Sequence, residues 1–217
     1  MAGSPLIALP PDPASPAGAT VAGDGWWPAI DRNAARDALR LGEIVTDARL
    51  TAALEGAWLT VTSDLAEWAA RLTAGRADTA PPVPGATSLA EATAGQLAAM
   101  LAPHPHSDWR RDFAWGFPYR FPVARPLYSP TRAAWLAGTM TDSVTAAPVP
   151  RLVVLFTRAV RFVAAAELVE LYRDIGAQAK ADIRAEAMLA TGSDYRRMAI
   201  EAVRDILGHT RVTSELL

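Results

Sequence analysis

The apolar positions of the chain follow the period of an α-helix in two blocks that lack proline. None of the 17 prolines lies between Ala29 and Ala80 or after Pro150. Because proline removes a backbone donor and breaks helix interiors, long helices can form in these two blocks. In the first block an apolar stripe recurs at steps of four and three residues, at Leu50, Leu54, Trp58, Val61, Leu65, Trp68 and Leu72. This spacing predicts one amphipathic helix that ends near Gly75.

Capping residues mark the ends of the helices in this block. Asp31 is predicted to cap a short helix that runs through Leu39, and Thr46 to cap the long helix that follows. Ser88 and Glu91 have the spacing of a capping box, in which each side chain bonds the backbone of the other residue. This pair predicts a further helix through residue 101.

The second proline-free block repeats the helical period. Its apolar stripe recurs at steps of four and three residues, at Phe156, Val160, Ala164, Leu168, Leu171 and Ile175. Gly176 and Gly192 predict two interruptions, and Gly208 stands where a left-handed cap would end the last helix. Since strands and helices do not alternate, the chain is predicted to be mainly α: a helical bundle with extended N- and C-terminal arms.

The middle of the chain has a different period. From residue 113 every second residue is aromatic or apolar: Phe113, Trp115, Phe117, Tyr119, Phe121 and Val123. Pro118 and Pro122 share the other face and exclude a central strand, which leaves a β-hairpin, an edge strand or an extended arm. So much aromatic surface must fold back onto the helices or dock elsewhere. We expect residues 113 to 121 to contact a neighbouring subunit or another protein.

The predicted organisation is one domain with arms. Residues 1–23 form an extended N-terminal arm, residues 24–101 and 151–208 form a single helical bundle, 102–150 form a proline- and aromatic-rich insertion, and 209–217 form a C-terminal arm. Trp26 and Trp27 precede the first helix and are candidates to hold a neighbouring subunit. A hydrophobic staple within the subunit is the alternative for this pair.

Composition excludes several functional classes. The net charge of -2 argues against a general nucleic-acid coat, which needs a basic excess to bind phosphates. The first arginine is Arg32, so the basic region of a signal peptide is missing, and Arg158 and Arg161 break the longest apolar run. We therefore expect a soluble protein, made in the cytosol, without a membrane partner.

Candidate catalytic chemistry is sparse. There is no cysteine, which excludes disulfides and thiolate zinc sites. His104, His106 and Asp108 alternate as metal ligands could, but the flanking Pro103 and Pro105 favour a surface loop. Phosphate-binding loops, dinucleotide fingerprints and nucleophile elbows are missing. The sequence predicts no enzyme, no cofactor and no metal, and it predicts that the carboxylates and arginines of the last helices form salt-bridged faces or subunit contacts.

Arginines are interleaved with aromatic residues in the middle segment. Between Trp109 and Trp135 five arginines, the last of them Arg132, stand against a single acid, Asp112. Such a mixture can stack bases and hold phosphates, or it can anchor a protein interface. The acidic balance of the whole chain favours the protein interface.

Four stretches together resemble the head-completion proteins of contractile-tailed phages, the gpL type. They are "DGWWPAIDRNAARDALRLGEIVTDARLTAAL", "LFTRAVRFVAAAELVELYRDIGAQAKADIRAE", "DYRRMAIEAVRDILG" and "TRVTSELL". The chain is more loosely similar to the helical head-to-tail adaptor proteins of other tailed phages. The stretch 98–147 departs from the family, whose connection there is shorter.

The resemblance implies a structural virion protein without enzymatic activity, assembled in the host cytoplasm and located at the neck. Members of the family bind the portal protein after DNA packaging, help to retain the genome, and offer a platform to a tail terminator or neck protein. By analogy the copies form a ring that follows the portal's symmetry, with about twelve subunits. Packaged double-stranded DNA would pass through the channel without sequence-specific contact.

The C-terminal arm is the predicted portal contact, because it follows the Gly208 cap and carries apolar residues with no partner in the sequence. Its candidate residues are His209, Thr210, Arg211, Val212, Leu216 and Leu217. A frayed terminus is the alternative. The rival function is a DNA-binding regulatory or DNA-processing protein that uses the C-terminal helices, although "EAVRDILG" mixes acids with its arginine. A metal-dependent hydrolase ranks third.

Overall fold

Seven helices and four short strands form the part of the chain that this computed structural model describes. That part comprises residues 15–21, 23–39, 41, 45–73, 89, 91–101, 129–141, 148–177 and 182–209. The helices are α1 Arg32–Ala38, α2 Asp47–Asp64, α3 Ala66–Thr73, α4 Ala94–Leu101, α5 Pro130–Ala137, α6 Arg151–Ala177 and α7 Asp182–Leu207. The strands are β1 Thr20–Val21, β2 Ile30–Asp31, β3 Thr139–Thr141 and β4 Pro148–Pro150. The prediction of a mainly α fold is confirmed.

The long helix α6 organises the body of the protein, because both α7 and α2 pack against it. Phe156, Val160 and Leu168 on α6 are buried, as the apolar stripe predicted, whereas Leu171 of the same stripe is exposed. They meet the buried stripe of α2, which includes Leu50 and Leu54. Each such side chain contributes about 1.5–3 kcal/mol when it is removed from water, so the fold rests on these two stripes.

The first predicted stripe is divided between two helices rather than carried by one. α2 ends at Asp64, its C-cap residue Leu65 (φ -95°, ψ 0°) leaves the helical conformation, and α3 begins at Ala66. Leu65 and Trp68 are nevertheless buried as predicted. The break lets both side chains face the same core. A continuous apolar period therefore did not require a continuous helix.

Two of the three predicted N-terminal caps are confirmed, and the third was predicted at the wrong residues. Asp31 accepts a hydrogen bond from the amide of Ala34 at 2.8 Å, and Thr46 caps α2. The capping box of α4 consists of Thr93 and Gln96 instead of Ser88 and Glu91. The Gln96 amide donates to Thr93 Oγ1 (3.3 Å), and Gln96 Oε1 accepts from the Thr93 amide (2.8 Å). Glu91 lies in a turn before the helix, and Ser88 lies outside the described residues.

Of the two glycine interruptions predicted in the C-terminal block, the one at Gly192 is wrong. Gly176 lies in the last turn of α6, which ends at Ala177, so a helix does end next to this glycine. α7 runs from Asp182 without a break through Gly192. Gly192 is buried, and a Cβ atom built on it would lie 3.6 Å from Val169 Cγ1 on α6. The close packing of the two helices at this position compensates the roughly 1 kcal/mol by which glycine disfavours a helix.

Part of the predicted insertion belongs to the body of the protein. Ser129 caps α5 by accepting a hydrogen bond from the amide of Arg132 at 3.2 Å, and Pro130 occupies the first turn. Ala133, Leu136 and Ala137 of α5 are buried in the same core as α4 and α6. The bundle thus includes residues that the prediction placed in the segment 102–150. Because the apolar stripe of α5 has three positions and lies in a proline-rich stretch, the sequence did not predict this helix.

The end of the predicted N-terminal arm is also packed on the body. β1 pairs with β2 in antiparallel register, with Val21 opposite Ile30, and both residues are buried. Ser15 donates a hydrogen bond to Asp47 of α2, and Arg32 Nη1 donates to the other carboxylate oxygen of Asp47 at 2.7 Å. Residues 15–21 are therefore part of the fold. β3 and β4 form the second antiparallel pair, which leads into α6.

Candidate protein-interaction site

The last helix ends in a well-defined cap from which the C-terminal arm departs. Gly208 has φ +78°, the left-handed conformation that glycine adopts without strain. The amide of His209 donates to the carbonyl of Arg204 at 3.0 Å, which is the long bond of a Schellman motif. The predicted cap is confirmed. His209 is exposed at this point, and residues 210–217 lie outside the described part of the chain.

Arg132 of α5 holds the same end of α7. Its Nη2 donates a hydrogen bond to the backbone carbonyl of Asp205 and lies 4.0 Å from that residue's Oδ1. The last carbonyls of a helix lack intrahelical partners and carry the negative end of the helix dipole. A guanidinium group at this place satisfies a carbonyl and is attracted by the dipole. α5 therefore holds the end of α7, the last helix before the C-terminal arm begins.

Trp135 lies between two arginines next to this contact. Its ring centroid is 4.3 Å from Cζ of Arg132 and 5.4 Å from Cζ of Arg151, and its side chain is 40% exposed. Arg151 Nη1 also donates to the Trp135 carbonyl at 2.9 Å. A Cβ atom on Gly138 would come within 2.6 Å of Arg151 Nη1, so a larger residue at this position would shift the guanidinium. We refer to Arg132, Trp135 and Arg151 as the tryptophan cluster.

The chemistry of the tryptophan cluster suits protein recognition. An exposed indole offers apolar area at little cost in side-chain entropy, and tryptophan and arginine are enriched among the residues that dominate binding energy. Guanidinium groups bind carboxylates in planar, bidentate geometry. The cluster can therefore bind an apolar group that lies next to a carboxylate. Sequence reasoning marked Arg132 and Trp135 only as part of an arginine- and aromatic-rich stretch, and it missed Arg151.

The predicted contact of Trp27 with a neighbouring subunit is contradicted by its position. Trp27 is 5% exposed and stacks on Phe156 with ring centroids 4.5 Å apart. Its ring therefore belongs to the core of its own subunit. Trp26 is partly buried and packs edge-on against Trp27 at 4.6 Å. Asp24 Oδ1 accepts hydrogen bonds from both tryptophan amides at 3.0 Å, which orients the pair inward.

The other predicted contact residues fall outside the described part of the chain. For the C-terminal arm these are Thr210, Arg211, Val212, Leu216 and Leu217. For the aromatic segment they are Phe113, Trp115, Phe117, Tyr119 and Phe121, and the predicted loop with His104, His106 and Asp108 also lies there. The contacts of both segments stay predictions.

Exposed arginines of α7 pair with carboxylates, as the alternation of charges predicted. Arg196 bonds Glu170 of α6, and Arg197 Nη2 lies 3.0 Å from Asp194 Oδ1. Both pairs are exposed, so each stabilises the fold by about 0–1 kcal/mol. The described part of this face therefore carries both signs of charge, whereas a DNA-recognition helix presents a basic face.

The described residues contain no group of three or more metal-ligating side chains. None of the helices in this part of the chain combines the length and the apolar character that crossing a membrane requires. The described structure is mainly α-helical, and the exposed tryptophan cluster is its candidate interaction site.

The family model of phage head completion proteins (GPL) matches residues 21–94 and 138–217. Because the match covers more than two thirds of the chain, the protein belongs to the phage head completion family, and the resemblance seen in the sequence is confirmed. It is thus a structural component of the phage head. Neither the curated proteins nor the solved structures contain a significant match. The stretch between the two matched parts includes α5, so the tryptophan cluster joins Arg151 of the family region to two residues outside it.

Proposed function

We propose that this head completion protein binds the portal vertex after DNA packaging, helps to retain the genome and provides the platform for tail attachment. In this role it sits at the neck of the virion and works by contact, without catalysis. The observation that carries the proposal is the fixed exit of the C-terminal arm at Gly208 and His209, in a chain of the head completion family.

The C-terminal arm is the proposed portal contact. A short arm binds more tightly when the residue from which it starts is held in place, because less conformational freedom is then lost on docking. The Schellman cap and the Arg132–Asp205 contact hold the end of α7 in this way. The arm itself offers Val212, Leu216 and Leu217 as apolar groups.

The tryptophan cluster is a second proposed portal contact. It lies beside the end of α7, since Arg132 touches both Trp135 and Asp205. A partner segment that presents an apolar side chain and a carboxylate would bury the exposed part of Trp135 and engage Arg151. The arm and the cluster would then form one continuous surface.

The remaining partners are proposed from the family. Copies of the chain form a ring of about twelve subunits, a closed arrangement typical of heterologous contacts. A tail terminator or neck protein binds on the side away from the portal. Packaged double-stranded DNA passes through the channel without sequence-specific contact, and the net charge of -2 avoids strong phosphate binding. The aromatic segment Phe113 to Phe121 contacts a neighbouring subunit or another connector protein.

Electron microscopy of portal rings mixed with the purified protein tests the proposal. We expect density for the full-length chain on the ring and its loss when residues 210–217 are deleted. The helicity of the deletion variant, measured by circular dichroism, should match that of the full-length chain. Undiminished binding of the deletion variant would contradict the role of the arm. Failure of the full-length chain to bind would contradict portal binding itself.

A further inference from the structure

An apolar groove lies where α1, the β3–β4 pair and the first half of α6 meet. It has a volume of about 530 Å³, and its apolar lining includes Leu39, Met140, Val149, Val154 and Phe162. All three residues of β3 are exposed, and Met140 keeps 43% of its surface accessible. Methionine adapts its shape to an incoming apolar group, so this groove suits a protruding aliphatic side chain.

Two arginines give the groove a positive character. Arg158 is exposed, with its Cζ 5.2 Å above the ring of Phe162, and Arg161 lines the groove one turn further along α6. Asp31 also lines it, but the carboxylate of Asp31 caps α1 by accepting from the Ala34 amide. The occupant of the groove should therefore combine an apolar side chain with carboxylates.

The outer face of α2 has the complementary character. Leu59 is 64% exposed, more than any other large apolar side chain that the structure describes. Leu54 and Val61 point into the core, and the helical period turns Leu59 away from it. Glu55 lies one turn before Leu59 on the same face of α2 and is exposed. Residues 51–70 contain no lysine or arginine, so Leu59 and the carboxylate of Glu55 form an apolar and negatively charged pair on this face.

We propose that the groove binds the Leu59 face of a second copy of this chain. Leu59 then packs against Met140 and Phe162, while the carboxylate of Glu55 beside it faces Arg158. Since every copy carries one groove and one Leu59 face, the contact is heterologous and generates a ring or an open chain of subunits. The inference rests on the proposed self-association and assigns its two surfaces.

Cross-linking between copies tests this contact directly, because the chain has no cysteine of its own. The variants L59C and M140C are mixed and treated with a short bis-maleimide, both as purified protein and after binding to portal rings. I200C replaces M140C in the control, since Ile200 is 57% exposed and lies on α7. We expect the L59C–M140C product to exceed the L59C–I200C product at least fivefold, a contrast typical of a specific interface as against random collision. Equal yields, or no L59C–M140C product in either preparation, would overturn the proposal.

Charge reversal gives an independent test. Leu59→Glu and Arg158→Glu should each raise the concentration at which half of the protein is associated by about tenfold, and Ile200→Glu should leave it unchanged. Mixing copies that carry Arg158→Glu with copies that carry Glu55→Arg should recover part of the lost association. If Leu59→Glu and Arg158→Glu both associate like the parent protein, the assignment is wrong. Portal binding of the same variants is scored separately, so that a failure of the subunit contact is distinguished from a failure of portal binding.

Discussion

The guanidinium group of Arg132 donates a hydrogen bond to the backbone carbonyl of Asp205, 73 residues further along the chain. Arg132 lies in the stretch between the two family-matched parts, whereas Asp205 lies in the last helix of the family region. A segment that the family does not share thus supports the end of a helix that it does share. We expect this link to matter for stability and for the direction of the C-terminal arm.

Arg132→Ala should lower the free energy of unfolding by about 1–3 kcal/mol, because it removes a charged donor from a helix-terminal carbonyl and a cation from the Trp135 ring. Urea denaturation followed by circular dichroism measures the change. Arg197→Ala is the matched control, since Arg197 pairs with exposed Asp194 three residues earlier, and it should change stability by less than about 1 kcal/mol. A loss for Arg132→Ala no larger than that of the control would contradict the capping role.

Two glycines should respond in opposite directions to the same substitution. Gly208→Ala places a Cβ atom on a residue with φ +78° and should destabilise the protein by about 1–2 kcal/mol. Gly95→Ala should stabilise it by about 0.5–1 kcal/mol, because Gly95 lies inside α4 and nothing stands within 4 Å of its Cβ position. Thermal unfolding of the two variants beside the parent protein measures both signs. Equal shifts would show that the cap does not need a left-handed residue.

The crossing of α6 and α7 at Gly192 predicts a limit on side-chain size. Gly192→Ala brings a methyl group into ordinary contact with Val169 and should stabilise the protein by about 0.5–1 kcal/mol. Gly192→Leu should instead destabilise it by about 1–3 kcal/mol, because the larger side chain has to separate two packed helices. Chemical denaturation of both variants checks the reversal of sign. A leucine variant as stable as the alanine variant would mean that the helices are not in close contact there.

The burial of Trp27 predicts a large effect on folding. Trp27→Ala should destabilise the protein by about 3–5 kcal/mol, because it opens a cavity beside Phe156 and removes a stacked aromatic pair. Leu59→Ala, a substitution of an exposed apolar side chain, should change stability by no more than about 0.5 kcal/mol. Denaturation midpoints of the two variants provide the comparison. A small loss for Trp27→Ala would restore the hypothesis that this residue serves a neighbouring subunit.

The tryptophan cluster predicts an effect on portal binding. Trp135→Ala should weaken portal binding about tenfold or more, as expected for an exposed aromatic residue flanked by arginines at an interface. Leu171→Ala is the control, since Leu171 is exposed to a similar extent, 47% against 40%, on α6. Co-sedimentation with portal rings over a range of protein concentrations measures both affinities. Equal affinities of the two variants would exclude the cluster from the portal contact.

Much of the fold could be read from local patterns. Asp31 and Gly208 perform the capping roles expected of their residue types, because the geometry of a helix end involves only neighbouring residues. The apolar stripes of α2 and α6 identified buried residues such as Leu54 and Phe156 for the same reason. Ser88 and Glu91 had the correct spacing for a cap, yet Thr93 and Gln96 perform it. The spacing of the residues alone could not show which of the two neighbouring pairs forms the capping box.

The candidate site depended on contacts between distant residues. Nothing near Arg132 in the sequence indicates that it bonds Asp205, or that Arg151 lies over the ring of Trp135. Likewise, the low helix propensity of glycine predicts a break at Gly192, whereas the packing of Gly192 against α6 keeps the helix continuous.

By itself, the sequence determined the helical class, the caps at Asp31, Thr46 and Gly208, most of the buried stripes and the family, since each depends on short-range spacing or residue identity. Only the tertiary structure decided that Trp27 faces inward, that α5 belongs to the body and that Leu59 is exposed. The physical reason is that burial depends on which elements pack together. Packing is a property of the whole chain and not of any local period.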